Sequence, residues 1–326
     1  MKAALLVRPG EMVVGEAPDP EPGPGEVRVA VGGVGLCGSD LAVFRGTWTP
    51  PRYPWIQGHE AFGRIDRVGE DVPASRVGET VVIEPNVPCG ACRQCALGRT
   101  SACTGRASVG MNRPGALAEW VVVPSPNAWG ISGIPEPDLA SVEPLAVVEA
   151  ALQRLGGDAP ATALVLGAGS QGLLMCLSLV ARGSEVLAYD PNAGRLEVAS
   201  GLGAATLPDG TPTEVELVVD TVGSAATMEL AARHAAIGGT ILVLGLDATP
   251  IALTAQTIVR RQLTIRGSLT YDHPGDFAST VARVQGGVVA PGRVITDEVP
   301  FAEAPRAFRD SGSARGKTWI RVGSGA

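Results

Sequence analysis

The stretch LVLGAGSQG, Leu164 to Gly172, decides the fold. An apolar run leads into Gly167, Gly169 and Gly172 at the spacing G-x-G-x-x-G, and LLMCLSLVA follows as a helix-like apolar stretch. In a strand–turn–helix setting these glycines permit a tight turn, close approach of a pyrophosphate and close helix–strand packing. The helix N-terminus, opening at Ser170 and Gln171, offers backbone N–H groups to that pyrophosphate. The next strand, EVLAYD, ends at Asp190, 18 residues after Gly172. A carboxylate there accepts from the adenosine ribose 2′-hydroxyl and repels a 2′-phosphate, so NAD is expected over NADP. Arg195 follows closely and is expected over the adenine. Val222 and Gly245, which end LVVDTV and TILVLG, complete the expected cofactor-binding residues.

Working outward, ALVLG, EVLAYD, LVVDTV, TILVLG and LTIRGS alternate with Ala-rich helical stretches after about Ser141. Such βα alternation implies a parallel sheet with helices on both faces. The first 125 or so residues have another texture: VRVAVGGVGL, EAFGRIDRVG, ETVVIEP and LAEWVVVP are β-branched runs punctuated by Gly and Pro. The tail ending in KTWIRV is β-like and is expected to return to this first domain. The predicted architecture is α/β. A doubly wound parallel sheet spans residues 148–289, and a β-rich domain is built from residues 1–147 and 290–326. A chain of 326 residues is long for one core and accommodates both.

Composition excludes several classes of function. Apolar residues make up 45% and charged residues 18%, as in folded soluble proteins. The net charge is −7, with no Lys/Arg-rich run, so neither nucleic acid nor an anionic membrane is an expected partner. The N-terminal apolar run stops at Arg8 and Pro9, too short for a secretion signal. Leu164 to Ala181 reaches membrane-spanning length only by including three glycines and a glutamine. A cytoplasmic protein with reduced thiols is expected.

Four of the six cysteines fall in PCGACRQCALGRTSAC as Cys89, Cys92, Cys95 and Cys103, spaced C-x2-C-x2-C-x7-C. Thiols this close reach disulfide geometry only with strain, whereas four thiolates close a structural tetrahedral zinc site. An iron–sulfur cluster also uses four cysteines, but the spacing matches neither common ferredoxin pattern. The lobe is set at residues 86–106. Cys176, in LLMCLSL, reads as a small core hydrophobe.

His59 is one of only three histidines and lies in GHEAFGRIDRVGEDV, of the form G-H-E-x2-G-x5-G-x2-V. Upstream is GLCGSD with Cys37, and downstream SVEPLAV with Glu143. With the cysteine lobe and the glycine motif, these segments occur in an order that resembles the zinc-dependent medium-chain dehydrogenases of the alcohol/polyol dehydrogenase family, along essentially the whole chain. The resemblance implies a GroES-like catalytic domain carrying a structural zinc lobe, beside a Rossmann domain. It implies two Zn²⁺ per subunit, one structural and one catalytic. The catalytic zinc would be held by Cys37, His59 and a third ligand, with Glu143 and Glu60 competing for that place. Asp40 would support His59. A carboxylate in place of a second thiolate makes the site harder and suits polyhydroxylated substrates.

Ser39 matches the family hydroxyl that takes the alcohol proton. Two departures stand out. The position that carries a relay histidine in many relatives is Ala42, and in SLTYDH the arginine of the polyol enzymes is replaced by Thr270 while Tyr271 is retained. Tyr271, or His273 beside it, is expected to contact substrate hydroxyls. Trp48 and Trp55 are further candidates for a pocket wall. The expected reaction is hydride transfer between NAD and a secondary alcohol of a polyol, sugar or cyclitol, giving a ketone or lactone. L-Threonine or a simple secondary alcohol is the alternative substrate, and a zinc-free quinone or enoyl reductase the alternative enzyme. A homodimer or homotetramer is expected.

Overall fold

The computed structural model describes residues 1–208, 213–251 and 253–323. The chain divides into two compact units, Met1–Ala146 with Tyr271–Ala326, and Val147–Thr270.

The second unit holds a six-stranded sheet in which every pairing is parallel. In spatial order its strands are Ala205–Thr206, Glu185–Tyr189, Thr162–Leu166, Val215–Asp220, Ala235–Val243 and Thr264–Gly267. Counted along this unit the order is 3-2-1-4-5-6, that of the doubly wound dinucleotide-binding folds. Ala163 to Leu166 are fully buried, which explains why the strand reads as an unbroken apolar run rather than an alternation. The helix Ser170–Val180 follows it and buries Leu173, Leu174, Met175, Leu177 and Leu179. Each buried side chain of this size contributes roughly 1.5–3 kcal/mol. The order reverses between Thr162–Leu166 and Val215–Asp220, so the crevice at their carboxyl ends is where such sheets bind ligands.

The first unit is built on the strand Glu26–Gly35. It pairs antiparallel with Glu60–Val68, Trp120–Pro124 and Lys317–Arg321 in a seven-stranded sheet. The last of these is the KTWIRV tail, which joins the N-terminal strands. The register pairs Gly35 with Glu60, so the chain leaves one strand toward Cys37 where it enters the other from His59. Val27, Val29, Ile65, Val81, Leu117 and Ile320 are almost completely buried in the core of this unit. The cysteine run lies between the two short strands Asn86–Val87 and Ala107–Ser108, whose antiparallel pairing forms the stem of a lobe.

The domain boundary expected at 289/290 is corrected: Tyr271 onward packs with the first unit. The helix Gly275–Gln285 follows a strand and so reads as one more βα repeat. Its Phe277 is instead fully buried against Trp129 and Tyr271, with ring centroids 5.8 and 5.3 Å away. Gln285 is further tied to the backbone of Ser132, at 2.9 Å from N–H to Oε1.

Candidate metal centres and nucleotide site

The four lobe cysteines are free thiols whose sulfurs converge. Sγ separations are 3.4 Å for Cys89–Cys103, 3.6 Å for Cys92–Cys95, 3.8 Å for Cys92–Cys103 and 4.0 Å for Cys89–Cys95. Sulfurs around a tetrahedral zinc with bonds of about 2.3 Å stand about 3.8 Å apart, so this donor set fits the ion. Backbone N–H groups of Cys95 and Thr104 pull the Cys92 thiol down to about 5, whereas burial and the neighbouring thiols push Cys95 up to about 12, so without a cation the four do not all ionise together.

A second group joins Cys37, His59 and Glu60, whose ligand atoms all lie within 4.8 Å of one another. Cys37 caps the short helix Gly38–Phe44, which places Ser39 and Asp40 in its first turn. Asp40 is fully buried. Its Oδ1 lies 3.2 Å from His59 Nδ1, leaving Nε2 for the cluster. Carboxylate support of this kind fixes the ring orientation of metal-ligating histidines. Burial opposes a charge on His59, but Asp40 and Cys37 outweigh it and raise its pKa well above the ordinary value. The Ser39 hydroxyl donates to Cys37 Sγ at 3.2 Å and lies 3.3 Å from His59 Nε2. Soft thiolate, imidazole and carboxylate together form a set that suits zinc.

Glu143 is not in this trio. It is buried, and its Oε1 accepts from the Tyr271 hydroxyl at 3.0 Å. Desolvation raises its carboxyl to about 7, with His59 acting to lower that value and Glu60 to raise it. Of the two carboxylates expected to compete for the third position, Glu60 is the one grouped with Cys37 and His59. Glu60 is also ion-paired with Lys317, whose side chain is fully buried, and Gly35 makes room for that pair. A Cβ at Gly35 would stand 2.7 Å from both Lys317 Cε and the Ala140 carbonyl oxygen, and would also collide with Glu60.

Tyr271 is 1% exposed and also accepts from Asn86 Nδ2 at 3.1 Å. His273 Nδ1 lies 2.8 Å from the buried Glu84 carboxylate, to which Trp129 Nε1 donates at 2.8 Å. Trp55 is core, with its Nε1 donating to the Gly110 carbonyl, whereas Trp48 is exposed. Sequence reasoning missed Lys317, Glu84 and Asn86. Lys317 opens a strand whose next three residues are buried, a place where a lysine signals a buried partner.

In the nucleotide-binding unit, Gly167 adopts φ +89, and a Cβ at Gly172 would collide with the Gly167 carbonyl oxygen. Gly169, by contrast, faces open space where a phosphate fits. Gln171 Oε1 is buried with no hydrogen-bond partner among the described residues. Asp190 accepts N–H bonds from Ala168 and Asn192, both at 2.8 Å, and so ties the glycine turn to the end of its strand. Arg195 Nη1 lies 3.5 Å from the Asp190 carboxylate. Val222 and Gly245 follow the strands Val215–Asp220 and Ala235–Val243. A Cβ at Gly245 would collide with the Val222 and Gly223 backbone, so the two turns pack directly together. The glycine turn, its open face at Gly169 and Asp190 at the next strand end fit a nicotinamide dinucleotide.

Residues 23–133 match the alcohol dehydrogenase GroES-like domain family, and residues 172–286 the zinc-binding dehydrogenase family. The chain is 34% identical to D-altritol 5-dehydrogenase of Agrobacterium fabrum (strain C58) over 93% of this chain and 94% of that protein. The structure of alcohol dehydrogenase RspB from Escherichia coli CFT073, complexed with NADH, superposes with a TM-score of 0.91 at 29% identity, covering 99% of each chain. A zinc-binding dehydrogenase of Sinorhizobium meliloti 1021 bound to NADP also gives 0.91 at 29% identity, covering 98% of this chain and 99% of the other.

Fold, donor sets and relatives together define an oxidoreductase that uses a nicotinamide cofactor and zinc. The chain belongs to the zinc-type medium-chain dehydrogenase/reductase family.

Proposed function

We propose that the chain oxidises a secondary alcohol of a polyol, sugar or cyclitol reversibly to a ketone or lactone, with NAD as hydride acceptor. The observation that carries this reading is the convergence of Cys37, His59 and Glu60, with the Ser39 hydroxyl in contact with two of them. Cys37 and His59 would hold a catalytic zinc, with Glu60 or Glu143 as the third ligand, and Cys89, Cys92, Cys95 and Cys103 a structural one. Bound there, zinc is a Lewis acid that favours loss of the alcohol proton.

A bound nicotinamide would supply the hydride acceptor, and the Ser39 hydroxyl would take the proton of the alcohol. The position of Ser39 in the same helix turn as Asp40, in contact with Cys37 and His59, supports that role. With Ala42 in place of a relay histidine, Ser39 would pass its own proton on to water rather than to an imidazole. Glu143, held by Tyr271, adds a carboxylate for a polyhydroxylated substrate, and the relationship to D-altritol 5-dehydrogenase supports that substrate class. Cysteines arranged as a metal donor set rather than in disulfides suit a reducing cytoplasm. The strand Thr264–Gly267 ends the parallel sheet with all four residues exposed, an edge suited to pairing with a second copy in a homodimer or homotetramer.

The substrate class is tested by NAD reduction across polyols, aldoses, cyclitols, L-threonine and simple alcohols. The highest kcat/KM is expected on a polyhydroxylated compound; a preference for L-threonine or a simple alcohol contradicts the assignment. The cofactor is tested by Asp190→Ser. Removing hydrogen bonds from a charged group to the ribose should lower the NAD/NADP ratio of kcat/KM by about tenfold or more. An unchanged ratio means that Asp190 does not read the ribose.

A further inference from the structure

The cysteine lobe grips the segment 271–273 at two places. At the stem, Asn86 Nδ2 donates to the Tyr271 hydroxyl oxygen at 3.1 Å, and Asn86 Oδ1 accepts from Ser108 Oγ at 3.0 Å across the hairpin. At the tip, the Ser101 N–H donates to Asp272 Oδ1 at 2.7 Å, and the His273 N–H donates to Thr100 Oγ1 at 2.6 Å. Thr100 and Ser101 lie between Cys95 and Cys103. The opposite side of the segment is fixed as well: the Asp272 N–H donates to Asp276 Oδ2 at 2.7 Å, and Phe277 packs edge-on against the Tyr271 ring. A phenol carries one hydrogen. With the Asn86 amide donating to the phenolic oxygen, that hydrogen goes to Glu143 Oε1 at 3.0 Å.

We propose that Asn86 and Asp272 are positioning residues through which the four-cysteine lobe sets the Tyr271 hydroxyl and thereby the Glu143 carboxylate. The lobe then has a task at the substrate site in addition to holding its own loop together. The inference rests on the reading of Glu143 as part of that site. Its discriminating consequence concerns donor polarity rather than volume. Asn86→Asp keeps the size of the side chain but replaces the donor with an acceptor, so the phenolic hydrogen is divided between two carboxylates. Asn86→Ala only removes the donor. A packing role predicts that Ala is the worse substitution, and a positioning role that Asp is.

The test compares Asn86→Asp, Asn86→Ala, Asp272→Ala and Tyr271→Phe in the full-length enzyme, with Arg99→Ala as a control at an exposed lobe position. The first readout is the fluorine resonance of Tyr271 in protein labelled with 3-fluorotyrosine. The chain has three tyrosines, and Tyr271→Phe assigns the signal. The second is KM and kcat on the best alcohol found. Asn86→Asp is expected to move the resonance and to raise KM by about tenfold, the scale of one lost hydrogen bond, with a smaller change in kcat. In the Tyr271→Phe background it should add nothing, because both changes break the same link. Asp272→Ala, which removes the acceptor of the Ser101 N–H, should act in the same sense, and Arg99→Ala should leave both readouts unchanged. An unmoved Tyr271 resonance, or KM effects that add in the double variant, overturns the proposal. The resonance needs no substrate, so failure to find a polyhydroxylated substrate counts against the functional reading alone. If Asn86→Asp does not fold, Asn86→Ala and Asp272→Ala must each move the Tyr271 resonance and add nothing to KM in the Tyr271→Phe background, and an unmoved resonance overturns the proposal.

Discussion

His59→Ala is expected to lower kcat/KM by roughly a thousandfold or more, since a catalytic metal contributes several kcal/mol to the transition state. On the proposed assignment of two zinc sites, the zinc count should fall at the same time by one per subunit. His59 supplies the imidazole of the Cys37–His59–Glu60 group, and without it only two of the three grouped donors remain. Catalytic zinc sites ordinarily use three protein ligands. The fold should survive, because Asp40 keeps the backbone N–H of Gly58 and of Cys37, each at 3.2 Å, as partners. Steady-state kinetics and elemental analysis of the purified variant check both expectations. Wild-type turnover would remove His59 from the chemistry.

Cys95→Ser is expected to fail differently. The four sulfurs are already spaced for a tetrahedral ion, so exchanging one thiolate for a hydroxyl opens the lobe site. Structural zinc binding is folding free energy, and the loss of several kcal/mol should lower Tm by on the order of 10 °C. The kcat of the enzyme that remains folded should change far less than in His59→Ala. Thermal unfolding and size-exclusion chromatography, read beside kcat, separate the two effects. Lost turnover with an unchanged Tm and quaternary state would contradict a structural role for the cluster.

How much of this was legible in the sequence depends on the range of the interactions. The parallel sheet was legible because strands buried on both faces, such as Thr162–Leu166, read as apolar runs, and because Gly167 and Gly172 meet steric demands that a local motif records. The cysteine lobe was legible for the same reason, since its four donors lie within fifteen residues of sequence. Cys37 and His59 were legible only through resemblance. What joins them is the register that pairs Gly35 with Glu60, and periodicity does not specify register between distant strands. The ion pair of Glu60 with Lys317 spans 257 residues, and nothing local announces it. The same limit explains the misplaced boundary. The helix Gly275–Gln285 has the amphipathic pattern of a Rossmann helix, and only its contacts with Trp129 and Ser132 assign it to the other unit. Tyr271 is marked by its motif, but nothing near it in sequence announces that its hydroxyl is committed to Glu143 and Asn86.

The most direct test of the central claim is zinc content per subunit, determined on the same preparation assayed for NADH formation with a panel of polyhydroxylated alcohols. Two zinc ions per subunit with turnover on a polyol, sugar or cyclitol is the predicted result. Full zinc loading with no turnover on any member of the panel would contradict the proposed activity. A single zinc that remains single after added metal would contradict the assignment of Cys37 and His59 to a second centre.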